Sequence, residues 1–344
     1  MSVRYGLIGY GAWGGFHAKA IEASPSAQLV AIAASSHSTA QRAKNEHQAD
    51  VYTDYTELLM RDDIDVVDIV VPNHLHHEVA LRALQAGKHI LLEKPMALTV
   101  EACEELNEEA LRKGLTIQIG FELHYSPLWG TVKRMIDEGK LGTLKTASIH
   151  LSRFPYRSGA AGWRKDANRV GNWILEEPIH FYDLVRWYFG GQEQPVSVYA
   201  LGNSREAADE ANGLFENIST SILFSKGGFA TVNQTLAAYG HYLSGEFVGT
   251  NGVLKARWSG ASDRIRDPEY RLDYFDGQAH HEVEIGRTPG ELFELEHQLA
   301  QFTQRIADGN QPDVSGEDGQ WAVKLSLAAQ DSIVRRQIVA LSAT

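Results

Sequence analysis

The chain of 344 residues contains one cysteine, Cys103, which excludes an intrachain disulfide framework and a cysteine-rich metal site. No apolar run approaches the ~20 residues that a membrane-spanning helix needs. The N-terminal residues lead into an apolar strand pattern without the hydrophobic region of a secretory signal, so we expect a cytoplasmic protein. Basic residues are also in deficit, because 32 Lys and Arg against 44 Asp and Glu give a net charge of −12. This deficit argues against nucleic acid or an anionic membrane as a partner.

What is present is an ordinary globular composition, with 43% hydrophobic and 22% charged residues, which excludes wholesale disorder. A chain of this length exceeds one compact core and favours two domains.

The first third of the chain alternates apolar strand patterns with amphipathic helical segments. The strand patterns are Val3–Gly9, Gln28–Ala33, Asp65–Val71, His89–Leu92 and Thr116–Gly120. Continuous apolar strands separated by helices predict a parallel, doubly wound sheet, and we place this first domain at residues 1–122.

After residue 122 the strands become longer and alternate apolar with polar residues, and glycine-containing turn signals separate several of them. A helix predicted at Trp173–Tyr188 interrupts them, and two helices close the chain. The pattern predicts a second α/β domain at residues 123–344 with an open, mainly antiparallel sheet.

A glycine motif, G-x-G-x-x-G, follows the first strand and opens the first helix. In this position the glycines allow a tight turn, a close approach of the backbone to a pyrophosphate, and packing of helix on strand. The residues expected to contact a dinucleotide here are Gly9, Gly11, Ala12, Trp13 and Gly14. The alternative is a tight turn with no ligand.

The end of the second strand carries Ser35, Ser36 and His37 where an acidic residue often binds the adenosine ribose. Because no acid is present and Arg42 and Lys44 follow, the cofactor is expected to be NAD or NADP, with a lean towards NADP.

Three further stretches carry a more specific signal: Pro72-Asn73-His74-Leu75-His76, Ala86-Gly87-Lys88-His89 and Glu93-Lys94-Pro95. Together with the glycine motif, they resemble the Gfo/Idh/MocA family of NAD(P)-dependent oxidoreductases. The resemblance implies a Rossmann domain followed by an α/β domain whose open sheet mediates homo-oligomers, here a dimer or tetramer.

The resemblance also implies that Lys94 reaches the substrate hydroxyl beside the nicotinamide. A motif that follows a parallel strand lies at the carboxyl edge of the sheet, where open α/β sheets bind ligands; the alternative for Lys94 is an exposed lysine before a proline turn. Further expected cofactor contacts are Pro72, Asn73, His76, Glu93 and Lys94 itself.

The family carries an acid and a histidine four residues apart on a helix, and here these are Glu176 and His180. With Asp183 they would share one helical face, and Pro178 would mark the first turn. His180 is predicted to transfer the hydroxyl proton while Glu176 orients its ring, so the predicted catalytic set is Lys94, His180 and Glu176. The alternative is a capping acid and a core histidine.

A locally basic segment, residues 151–170, has a net charge of +4 in this acidic chain. Its cations are Arg153, Arg157, Arg164, Lys165 and Arg169, set against one acid, Asp166. Guanidinium groups bind oxyanions and aromatic rings stack on sugars, so an anionic sugar is one candidate substrate. The alternatives are an exposed basic loop, or a loop that pairs with acids across a subunit interface. The full predicted substrate set is Lys94, Glu122, Tyr125, Arg153, Tyr156, Trp163, Arg164, Glu176 and His180.

The predicted function is hydride transfer between a nicotinamide and a secondary alcohol or ketone of a sugar, a sugar derivative or a cyclitol. A glycoside hydrolase that uses transient oxidation is an alternative, as is a cofactor-binding protein without catalysis. No metal is expected, because the cluster at His74, His76 and His77 has no second group of ligands.

Overall fold

The computed structural model describes residues 2–156, 158–190, 192–236, 240–262 and 264–341. They form two compact units: Met1–Glu122 with Glu294–Val323, and Leu123–Phe293 with Lys324–Thr344.

The first unit contains a six-stranded parallel sheet in the order β3-β2-β1-β4-β5-β6. The strands are β1 (Val3–Ile8), β2 (Ala27–Ala33), β3 (Asp50–Tyr52), β4 (Val66–Ile69), β5 (His89–Leu92) and β6 (Ile117–Ile119). The helices between them are α1 (Ala12–Ala23), α2 (His37–Glu46), α3 (Tyr55–Leu59), α4 (His76–Gln85) and α5 (Val100–Lys113). The strand order reverses between β1 and β4, and ligands of such sheets bind beyond the carboxyl ends of the strands at this point. The predicted doubly wound sheet is confirmed.

The second unit contains a nine-stranded sheet in the order β14-β13-β12-β11-β7-β10-β9-β8-β15. Its strands are β7 (Leu144–Ser152), β8 (Pro195–Asn203), β9 (Asn217–Phe224), β10 (Phe229–Thr235), β11 (His241–Gly249), β12 (Val253–Gly260), β13 (Glu269–Phe275), β14 (His280–Val283) and β15 (Val339–Ala340). Its helices are α6 (Pro127–Asp137), α7 (Ala167–Val170), α8 (Pro178–Phe189) and α9 (Ala207–Ala211). The last two helices, α10 (Glu291–Asp308) and α11 (Gly316–Arg335), are each divided between the two units. The sheet is mainly antiparallel, as predicted, with one parallel pair between β7 and β10.

Two sequence expectations need correction. Residues 294–323 belong to the first unit, because the apolar side chains Leu295, Leu299 and Phe302 of α10 are buried in the core of that unit. The helix predicted at Trp173–Tyr188 begins only at Pro178, since the proline ring suits a first helical position and residues 173–177 form turns.

Candidate active site

The glycine motif forms a backbone turn that only glycine can make. Gly9 follows β1 with a φ of +104°, and a Cβ there would lie 2.1 Å from the carbonyl oxygen of Val70. A Cβ on Gly14 would lie 1.9 Å from the carbonyl oxygen of Gly9. Both positions therefore require glycine for close backbone packing.

Gly11 has a different reason to be glycine. It is the N-cap of α1 without a side-chain cap, and a Cβ on it would meet nothing within 4 Å. The first backbone N–H groups of a helix have no intrahelical partner, and in α1 these are the N–H groups of Ala12 and Trp13, directly after Gly11. The turn therefore fits the pyrophosphate of a dinucleotide, which these N–H groups would bind.

The end of β2 presents small hydroxyl groups and no carboxylate. Ser36 caps α2 by accepting a hydrogen bond from the backbone N–H of Thr39 (3.2 Å), and His37 is the first helical residue. The Arg42 guanidinium donates a hydrogen bond to the backbone carbonyl oxygen of Tyr10 (2.8 Å) and stacks over the Tyr10 ring. An arginine therefore lies beside the glycine turn.

After β4, Pro72 and the buried Asn73 lead into a short 3-10 helix, and His76 opens α4. The buried ring of His76 lies between two backbone carbonyls, with Nδ1 2.5 Å from the Pro95 oxygen and Nε2 2.8 Å from the Val71 oxygen. His76 therefore contacts both loops, and its expected contact with the cofactor stays a prediction.

Directly after β5, Glu93 is buried and Lys94 is half-buried at the carboxyl edge of the sheet. Glu93 Oε1 accepts a hydrogen bond from Trp13 Nε1 (3.0 Å), and Glu93 Oε2 accepts one from the backbone N–H of Lys94 (3.2 Å). The Lys94–Pro95 peptide bond is cis. The sequence placed Glu93 and Lys94 at this edge, but it did not reveal that Glu93 holds Trp13.

In the second unit, His180 lies in the first turn of α8 and is buried. Glu176 lies just before this helix, as expected from a first turn at Pro178, so it does not share a helical face with His180 and Asp183. Its Oε2 accepts a hydrogen bond from Arg164 Nε (2.5 Å), and the Arg164 guanidinium stacks over Trp163 (4.4 Å). Arg164 is thus an ionic partner of Glu176, and the sequence spacing did not predict this pair.

Acids of the same chain neutralise much of the basic segment. Arg153 forms an ion pair with Glu177, and Lys165 Nζ donates to Asp209 Oδ2 (2.7 Å). Arg157 lies outside the described residues. Among the cations of this segment that the structure describes, Arg153, Arg164 and Lys165 are therefore paired with acids of the same chain.

An apolar cluster supports this segment. Trp163, Val170 and Trp173 are buried together with Leu214 and Leu236, and Tyr156 packs against them. Burial raises the pKa of the Tyr156 hydroxyl well above its ordinary value. These aromatic side chains order the segment that carries Arg153 and Arg164.

One pair near the domain junction was missed by the sequence reasoning. His124 Nε2 lies 2.5 Å from Asp183 Oδ2, and the His124 ring stacks on Trp187 (4.0 Å between centroids). Glu122 and Tyr125, two expected substrate contacts, are half-buried in the 3-10 helix Glu122–Tyr125. No local spacing could have signalled this pair, because its two residues are 59 positions apart.

Among the described residues, no three His, Cys, Asp or Glu side chains form a group that could hold a metal ion. None of the helices in this part of the chain is both long and apolar enough to cross a bilayer.

The sequence model of the oxidoreductase family with an NAD-binding Rossmann fold, Gfo/Idh/MocA, matches residues 3–121. The model of the GFO/IDH/MocA C-terminal domain matches residues 129–255. The chain belongs to the Gfo/Idh/MocA family of oxidoreductases. It is therefore an oxidoreductase whose first unit is an NAD-binding Rossmann domain.

Individual relatives agree with this assignment. The chain is 28% identical to an inositol 2-dehydrogenase of Rhizobium meliloti over 99% of this chain and 100% of the relative. It is 27% identical to a scyllo-inositol 2-dehydrogenase (NAD(+)) of Bacillus subtilis over 96% of this chain and 94% of the relative. Among solved structures, a levoglucosan dehydrogenase in complex with NADH and levoglucosan has a TM-score of 0.83 at 24% identity, covering 99% of both chains. That structural likeness shows the fold.

Proposed function

We propose that this oxidoreductase interconverts a secondary alcohol and a ketone on a cyclitol or a neutral sugar. The observation that carries the proposal is the joint presence, in the first unit, of an open glycine turn at Gly11 and of Lys94 at the carboxyl edge of the same sheet. The names of the two inositol dehydrogenases support a cyclic polyol as the substrate class.

The nicotinamide, when bound, supplies the hydride acceptor or donor. The side chains of the chain handle the oxygen and its proton. Lys94 donates a hydrogen bond to the substrate oxygen and stabilises its negative charge, and His180 accepts the hydroxyl proton or returns it. Glu176 takes a positioning role, and the ion pair with Arg164 holds its carboxylate.

We propose a neutral substrate rather than an anionic one. The anionic alternative depended on free guanidinium groups in the basic segment, but Arg164 is paired with Glu176 and Arg153 with Glu177. An oxyanion would have to displace these carboxylates, which themselves lie in buried or partly buried positions.

For the cofactor, we propose that the chain accepts NADP as well as NAD. Ser36 and His37 leave the end of β2 free of negative charge, and Arg42 supplies a guanidinium beside the glycine turn. Comparison of the KM values for NAD and NADP tests this, and Arg42→Ala is expected to raise the KM for NADP about tenfold while changing that for NAD little. Equal KM values in the parent and variant chains for NADP would contradict it.

The substrate proposal is tested with purified protein, both cofactors, and a panel of myo-inositol, scyllo-inositol, glucose, levoglucosan and galacturonate. Net formation of reduced cofactor with a neutral polyol is expected. Faster turnover of galacturonate would overturn the neutral preference. Cleavage of an aryl glycoside without net cofactor reduction would favour the glycoside hydrolase, and cofactor binding without any turnover would favour the non-catalytic alternative.

We further propose a cytoplasmic homo-oligomer assembled through the open face of the second sheet. Large exposed apolar side chains lie on this face at Tyr199, Leu201, Leu223, Phe229 and Tyr242. Leu223 and Phe229 are directly paired on β9 and β10, so the apolar patch crosses strands. Light scattering should give the mass of a dimer or tetramer, and Phe229→Lys should lower that mass. A parent chain that is monomeric in solution would refute the assembly. Cell fractionation tests the proposed cytoplasmic location.

A further inference from the structure

A buried group of ionisable side chains in the first unit has no part in the proposed reaction. His17 lies on α1, four residues after Trp13, and its ring is fully buried. Its Nδ1 lies 2.8 Å from Asp68 Oδ2 on β4, and its Nε2 lies 3.3 Å from Glu93 Oε1 at the end of β5. The second contact has the distance of an ion pair without the alignment of a hydrogen bond.

Burying these charges is costly, so their arrangement requires a compensating interaction. Burial by itself lowers the His17 pKa, but attraction to Asp68 and Glu93 outweighs it and raises the pKa to about 10. Tyr5 of β1 faces Asp68, and the Lys94 charge acts on Glu93. At neutral pH, His17 is therefore an imidazolium between two acids.

Glu93 is the member of this group that touches the loop of Lys94. Its pKa is lowered despite burial, because contacts with His17 and the charge of Lys94 favour the carboxylate, as does the Trp13 indole. A Cβ on Gly120, directly after β6, would lie 2.7 Å from Glu93 Oε1. The Glu93 carboxylate thus lies between α1 and the end of β6, and it accepts a hydrogen bond from the backbone N–H of Lys94.

A second buried histidine holds the other end of the same loop. His76 Nδ1 lies 2.5 Å from the Pro95 carbonyl oxygen, and His76 Nε2 lies 2.8 Å from the Val71 carbonyl oxygen. Both ring nitrogens of His76 therefore lie within hydrogen-bond distance of a backbone carbonyl oxygen. The loop is therefore fastened to α1 on one side of Lys94 and to the end of β4 on the other.

We propose that His17 and His76 are positioning residues that clamp the Glu93–Pro95 loop from two sides and fix the position of Lys94. His17 acts through the Glu93 carboxylate, and His76 acts through the Pro95 carbonyl. The clamp deepens the proposed function, since its catalytic consequence rests on the role given to Lys94. Its structural consequence, a rigid loop linked to the cofactor turn through Trp13, is measurable without substrate or cofactor.

The first test uses the protein without added cofactor. Hydrogen exchange of the peptide that contains residues 93–97 should speed up at least tenfold in His17→Asn and in His76→Gln. The indole N–H resonance of Trp13, identified among the seven tryptophans by its loss in Trp13→Phe, should shift in Glu93→Gln and in His17→Asn. An unchanged exchange rate and an unchanged Trp13 resonance would overturn the proposal.

Two substitutions at position 17 separate positioning from bulk stability. An asparagine amide replaces the ring Nδ1 and can keep the contact with Asp68, whereas a glutamine amide replaces Nε2 and can keep a donor near Glu93. Because His17 acts through Glu93, His17→Gln should recover part of the activity that His17→Asn loses. Equal kcat values for the two variants would contradict action through Glu93.

The matched control is His89→Gln. His89 lies at the beginning of β5, the strand that ends just before Glu93, and its Nδ1 accepts the backbone N–H of Thr116 (3.1 Å). This variant should lower stability without changing kcat with myo-inositol.

In the second test, His17→Asn should lower kcat tenfold to a hundredfold with NAD and myo-inositol, because a small misplacement of a catalytic group costs up to about 10²-fold in rate. The Kd for NADH should change less than about threefold. The double variant His17→Asn with Glu93→Gln should be no slower than the slower single variant. A parallel loss in His89→Gln, or additive losses in the double variant, would overturn the clamp. If the parent chain turns over none of the panel while the exchange and resonance changes occur, the proposed function fails and the clamp stands.

Discussion

The glycine turn of the first unit and the arginine-bearing segment of the second unit are built on opposite principles. At the turn, the backbone itself is the binding surface, and Gly9 and Gly14 are fixed by approaches of about 2 Å that no Cβ permits. In the second unit, long side chains meet across the chain, as Arg164 meets Glu176 twelve residues away. The first arrangement tolerates no substitution, whereas the second depends on charges that can be exchanged in pairs.

The largest expected effect is at the turn. Gly14→Ala places a Cβ 1.9 Å from the Gly9 carbonyl oxygen, so the turn must open and the Kd for NADH should rise more than about a hundredfold. Gly15→Ala is the control, because a Cβ there meets nothing within 4 Å. It should leave binding intact and raise the free energy of unfolding by about 0.5–1 kcal/mol. Titration of the intrinsic fluorescence with NADH measures the Kd of both variants. Weakened binding in Gly15→Ala as well as in Gly14→Ala would contradict the prediction.

Next come the proposed catalytic groups. Lys94→Ala and His180→Ala should each lower kcat on the order of 10²- to 10⁴-fold, because each removes a group that handles the substrate oxygen or its proton. The Kd for NADH should change little. Steady-state kinetics with a substrate from the panel, together with NADH titration, separate the two quantities, and full activity in either variant would reject its assigned role.

A smaller effect is expected at the side-chain pair. Arg164→Ala removes an ionic partner of the buried Glu176 carboxylate and should lower the free energy of unfolding by about 1–3 kcal/mol. Adding Glu176→Gln should restore most of that loss, because the negative charge that Arg164 compensated is then gone. Urea unfolding of the single and double variants measures this, and equal instability of the two would show that the pair acts through packing alone.

The smallest predicted effect concerns pH. A group whose pKa is raised by folding stabilises the folded state fully below its unfolded pKa, roughly 6.5, and loses this contribution as the pH rises through the folded value, about 10 for His17. The difference in the free energy of unfolding between the parent chain and His17→Gln should therefore shrink as the pH rises from about 6.5 to 10. A difference that stays constant or grows over this range would contradict the charged state assigned to His17.

The same contrast explains what could be predicted from the sequence. The alternating pattern and the glycine spacing predict the turn and five of the six parallel strands, because these are determined by local backbone requirements. The three-residue strand Asp50–Tyr52 is too short to show such a pattern. The ion pair of Arg164 with Glu176 and the pair of His124 with Asp183 join side chains 12 and 59 residues apart, so no local periodicity encodes them. The spacing placed Glu176 on the helical face of His180, whereas Pro178 predicts that the helix starts after Glu176, and the structure follows the proline.

The return of residues 294–323 to the first unit has a consequence for biosynthesis. The Rossmann core includes Leu295, Leu299 and Phe302, so a nascent chain that has emerged only to residue 122 lacks part of its own interior. The N-terminal unit therefore cannot complete its folding first, as N-terminal domains generally do during synthesis. It stays exposed to chaperones and proteases until almost the entire second unit has been translated, and no single proteolytic cut can release the two units as intact fragments.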